Sequence, residues 1–74
     1  MVTPDIHQER HRLLLSMRDA PDHYELAFSS AEHAGYLRGL NKSGVISEAA
    51  SDIYAQEADQ VVQIACQRLS SEAA

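Results

Sequence analysis

Leu40-Asn41-Lys42-Ser43-Gly44-Val45-Ile46-Ser47-Glu48 holds both a helix stop and a helix start. Gly44 is placed to take the left-handed conformation after a helix ending near Lys42, and Val45 follows it as the hydrophobic partner of Leu40 in a Schellman-type cap. Ser47 can then cap the next helix. Residues 41–46 thus form a short connection, of the length that joins two antiparallel helices.

Working outward, residues 48–69 contain neither Gly nor Pro and are rich in Ala, Gln and Glu, so a long helix is predicted over about 47–69. Ala50, Tyr54, Ala58, Val61, Ala65 and Leu69 recur at steps of four or three and make one apolar stripe. Ile53, Val62, Ile64 and Cys66 lie beside or outside it. Upstream, Asp22 followed by Glu25 resembles a capping box, and Ser29 followed by Glu32 offers a second start. One continuous helix over about 22–42 is expected, burying Tyr24, Ala27, Phe28, Ala31, Ala34 and Gly35, with Leu37 and Leu40 widening the stripe. Pro21 ends a first helix, predicted over about 3–19, with Thr3 as its cap, Pro4 at its first position and Asp5 facing the positive end of the dipole. Ile6, Leu13 and Met17, with Leu14 and the stem of Arg10, share one face of it.

The expected fold class is therefore all-α: a single helical domain over 1–74, a short N-terminal helix plus a longer antiparallel hairpin. A chain of 74 residues buries only about 60% of the surface that its unfolded form exposes. Two apolar faces on the third helix exceed what so few elements can cover, which predicts dimerisation into a helical bundle through helices two and three. The residues assigned to that interface are Ala31, Leu37, Tyr54, Ala58, Val61 and Ala65. The alternative is that helix one folds back over the same surface.

Six Lys and Arg against eleven Asp and Glu give a net charge of −5, which disfavours a general electrostatic hold on nucleic acid or an anionic membrane. The acid is concentrated late in the chain. Residues 1–20 balance Asp5, Glu9 and Asp19 against three Arg, whereas residues 47–74 carry five acids against Arg68. Such a surface suits a basic partner, because complementary charge speeds encounter and sets specificity. Segment 40–50 also looks like the turn of a helix-turn-helix, the basis of an alternative reading as a DNA-binding regulator. Its recognition helix would present Glu48, Asp52, Glu57 and Asp59 to phosphates, with no basic residue before Arg68, so direct nucleic-acid binding is not expected.

Chemistry-bearing motifs are scarce. His7 and His11 stand four apart, a spacing that puts two imidazoles on one helix face and would suit metal-linked assembly. Glu9 lies between them but two residues from each, so it fits no hydrolytic zinc helix. The lone cysteine, Cys66, is expected near a helix C-terminus, where the dipole opposes the thiolate, and it reads as packing in a reduced, cytoplasmic protein. No nucleophile elbow or phosphate-binding loop occurs. The expectation is a protein that is not an enzyme, uses no cofactor or resident metal, has no membrane span, and binds another protein. Tyr36 and Arg38 are the expected anchors, since aromatic and Arg side chains dominate interface energetics, and Glu48 and Asp52 supply the acidic contact.

Ala34-Gly35-Tyr36-Leu37-Arg38-Gly39-Leu40 followed by Ser43-Gly44-Val45-Ile46-Ser47-Glu48 resembles the helical hairpin of very small proteins encoded by phages and prophages. Some of these are inhibitors of a host protein, of the anti-CRISPR or anti-activator type. The resemblance implies a non-enzymatic, dimeric, protein-binding module and carries over no functional residues.

Overall fold

A computed structural model of the chain describes residues 5–73. Three helices occur in it, α1 (Ile6–Arg18), α2 (His23–Lys42) and α3 (Glu48–Ala73), and no strand is found among the described residues. The class is all-α. No helix is long and apolar enough to cross a membrane among the described residues.

Each boundary has a local cause. α1 is capped by Asp5, whose Oδ1 accepts from the Gln8 amide at 3.0 Å. The helix therefore starts later than the predicted residue 3, because a carboxylate is a stronger cap than a threonine and also suits the positive helix end. Thr3 and Pro4 lie outside the described residues. α2 takes the Asp22 start: Asp22 Oδ1 accepts from the Glu25 amide at 2.8 Å, and the helix runs unbroken past Ser29 to Lys42.

At its end the Val45 amide donates to the Leu40 carbonyl at 2.9 Å and the Gly44 amide to the Asn41 carbonyl at 3.1 Å. Gly44 sits at φ +78°, so the closure is the paired bonding of a Schellman motif on a left-handed glycine. Ser47 Oγ then accepts from the Ala50 amide at 3.1 Å and opens α3. α3 continues to Ala73 rather than stopping at Leu69. No Gly or Pro interrupts it, and Arg68 reaches Glu72 one turn on, at 3.5 Å.

The core gathers where the α1–α2 turn meets the second half of α3. Met17, Ala20, Leu26, Ala58, Ala65 and Leu69 are buried there, with Leu14, Val61, Val62 and Cys66 packed against them. Arg68 ties that end together, its Nη2 donating to the carbonyls of Arg18 and Ala20 at 2.8 and 2.7 Å. The Arg18 carbonyl is one that the finished α1 leaves without a helical partner, that of Ala20 lies in the turn just beyond, and a cation suits the negative helix end.

Two expectations are corrected by this packing. α1 folds back over the α3 stripe, so Ala58 and Ala65 are buried within the protomer, as is Leu37. Those three cannot belong to an interface with a second chain, and Tyr54 and Val61 are already half-buried. Ala31 alone of the six is exposed. The second correction is the rotation of α2 by about half a turn. Its buried line is Leu26, Ser29, His33 and Leu37, whereas Tyr24 and Phe28 are 77% and 57% exposed and Ala27, Ala31, Ala34 and Gly35 face outward too. The leucines lie on one line with His33, and that line meets α1 and α3.

Candidate functional site

Midway along α1 a charge enters the interior. Arg10 shares its helix face with Leu13 and Met17, so the register that buries those two buries Arg10 as well. Its Nη2 donates to Glu57 Oε2 at 3.1 Å, with the Arg10 side chain 7% and the Glu57 side chain 50% exposed. Its guanidinium carbon lies 3.9 Å from the centre of the Tyr54 ring, one turn earlier on α3. A desolvated guanidinium over an aromatic face is attracted by the ring quadrupole, and the carboxylate balances its charge.

His33 of α2 completes this layer and is almost wholly buried. Burial holds its imidazole below the ordinary value of 6.5; Arg10 pushes the same way and Glu57 opposes. Arg10 Nε and His33 Nε2 have no hydrogen-bond partner. Two unpartnered polar atoms in a small core cost free energy that apolar neighbours would not.

The consequence for acid stability follows from the sign of the shift. The unfolded chain takes up a proton near 6.5 and the folded chain only at lower pH, so His33 leaves stability intact above about 6.5 and lowers it as pH falls below that value. Thermal melts from about pH 7.5 down to about 5 should show a falling midpoint that flattens in His33→Gln. An equal slope in both proteins would remove His33 as the cause.

The four residues expected to bind a partner do not form one site. Arg38 is exposed and shares a shallow depression with Asn41, Glu48, Ser51 and Asp52, where the end of α2 meets the start of α3. Tyr36 sits half-buried on the opposite flank of α2, against Asp5, Gln8, Glu9, His11, Arg12 and Leu15. Partial burial, with Glu9 and Asp5 nearby, raises its phenol above the usual range. Positions two apart on a helix point about 200° from each other, so Tyr36 and Arg38 cannot meet the same surface.

His7 and His11 are both exposed, and no three His, Cys, Asp or Glu among the described residues are grouped to hold a metal ion. Cys66 is half-buried and unpaired by disulfide. It lines an open apolar groove of about 390 Å³ with Leu26, Ala27, Ala31, Ala34 and Val62. The start of α2 and the second half of α3 form its walls.

Sequence reasoning missed two features here. The burial of His33 beside Arg10 was hidden because a histidine reads as polar, whereas the stem of Arg10 is expected on the apolar face of α1 and lies there. Seven-residue spacing from Leu26 to His33 to Leu40 was the signal that could have placed His33 inside. The aromatic face of α2, expected inside, faces outward. Comparison with known protein families, with curated proteins and with solved structures finds no match.

Proposed function

We propose that this is a small, non-enzymatic regulatory or inhibitory protein that works in the cytoplasm as a homodimer and binds a protein partner with a basic surface. One observation carries the reading: Tyr24, Phe28, Val45, Ile53 and Ile64 are exposed on a body of only three helices. Single exposed apolar residues are ordinary, but Tyr24 and Phe28 stand one turn apart on the outer face of α2, and an apolar patch on so small a domain marks a surface that another macromolecule covers. The antiparallel α2–α3 hairpin is the working unit. Glu48 and Asp52, on the first turns of α3 beside Arg38, supply the acidic contact, and the four-residue acidic excess of residues 47–74 steers a basic partner toward it. Tyr36 belongs to the α1 side and plays no part in that contact. The resemblance to phage-encoded inhibitors makes a host protein the expected class of target.

Tagged protein should retain a specific partner from a cell lysate at low salt and release it as salt rises, since exposed charge pairs are screened. The double variant Glu48→Lys, Asp52→Lys should lose that partner while keeping its helicity. Equal recovery with the double variant would end the assignment of this depression. Recovery of nothing beyond the bare tag would end the reading as a partner-binding protein.

A further inference from the structure

The outward face of α2 has an order of its own. Tyr24, Phe28, Ala31, Gly35, Arg38 and Lys42 follow one another at steps of four, three, four, three and four, the spacing that keeps one seam of a helix turned toward a partner helix. All six are exposed.

Two further observations single out this seam. Four of the six cations pair with carboxylates within the chain, at Arg10, Arg12, Arg18 and Arg68. Among the described residues Arg38 and Lys42 make no ion pair, and both stand on the seam. Gly35 lies at the middle of it, inside a helix where glycine costs about 1 kcal/mol relative to alanine. A Cβ there would meet nothing within 4 Å, so nothing inside the protomer calls for a glycine at that place.

We propose that this seam is a self-docking surface, on which α2 of a second copy of the chain lies antiparallel. The inference rests on the homodimer reading and names its face. Charge selects both occupant and direction. Residues 22–32 carry Asp22, Glu25 and Glu32 and no Lys or Arg, while residues 33–43 carry Arg38 and Lys42 and no acid. Glu25 and Glu32 flank the seam on one side, and an antiparallel copy sets the half of α2 that carries them against the half that carries Arg38 and Lys42, whereas a parallel copy would set like against like. Size gives the register. Ala31 of one chain faces Gly35 of the second copy, which lets the two backbones approach closely at the crossing. Phe28 then lies beneath Arg38 of the second copy and Tyr24 beneath its Lys42, each cation over an aromatic face. Phe28 and Tyr24 leave water, and the unpaired cations gain partners.

Gly35→Leu separates this surface from the fold, because the new side chain has open space within the protomer and favours helix. Sedimentation equilibrium should give a two-chain mass for the wild type and a one-chain mass for Gly35→Leu and for Phe28→Glu, all three with unchanged helicity by circular dichroism. A two-chain mass in both variants would overturn the assignment of this face; dissociation by Ile64→Glu instead would leave the homodimer standing and move its interface to α3. A one-chain mass for the wild type would overturn the seam and the homodimer together.

Discussion

Met17→Ala is expected to cost about 3 kcal/mol, within the range for truncating a fully buried methionine, because removal of the side chain leaves a cavity that its neighbours fill only in part. Met17 has no exposed surface and lies in the cluster with Ala20, Leu26, Ala58, Ala65 and Leu69. Three of those neighbours are alanines, which have no side-chain length with which to collapse into the gap. A chain of 74 residues has about 4–11 kcal/mol of stability in total, so this one change removes a large share of it. Urea unfolding measures the loss as a drop in midpoint at constant slope. A loss under about 1 kcal/mol would mean that the α1–α2 turn does not close on the second half of α3 as described.

The second large effect is at Arg10, where two substitutions should differ. Arg10→Ala removes the ion pair to Glu57, the contact with the Tyr54 ring and the buried stem together, and should cost about 2 kcal/mol. Arg10→Met keeps most of the buried volume and takes away the unpartnered Nε. It should cost less than Arg10→Ala, since replacing a buried charge by a well-packed apolar side chain is often neutral or stabilising. Glu57 is half in water and tolerates the loss of its partner. The two variants compared by urea unfolding decide the matter: equal losses would show that the charge itself, and not the packing of the stem, holds this layer together.

The punctuation of the chain was legible because single residues govern it. Asp22, Gly44 and Ser47 act through their own side chain or backbone on amides and carbonyls a few positions away, and such local chemistry survives whatever the helices pack against. Helix orientation is another matter. α2 has two stripes, one of leucines interrupted by Ser29 and His33 and one of aromatic and small residues, and hydrophobicity along the helix does not rank them. What ranks them is the neighbouring layer: Arg10 descends from α1 beside Met17, and Glu57 and Tyr54 meet it from α3. His33 is the α2 residue buried at that level, although its Nε2 takes no hydrogen bond there. The Leu26–His33–Leu40 spacing marks the inner line, but no window on α2 alone ranks that line above the aromatic one.

The same reasoning explains the fate of the expected interface. The stripe Ala58, Ala65 and Leu69 was found by its period, and its burial is real. Its partners are α1 and α2 of the same chain, with Met17, Ala20 and Leu26 packed on it and Arg68 bonded to the carbonyls of Arg18 and Ala20. Contacts between residues about fifty positions apart have no local signature. Once that stripe is covered from within, the apolar side chains left in water are Ile53 and Ile64 on α3, Val45 in the turn, and Tyr24 and Phe28 one turn apart on the outer face of α2.

That surplus is the central claim, and the wild-type chain measured alone by sedimentation equilibrium over a wide concentration range tests it most directly. The expected result is a mass rising to twice the 8.2 kDa of one chain. A constant single-chain mass at every concentration would contradict it.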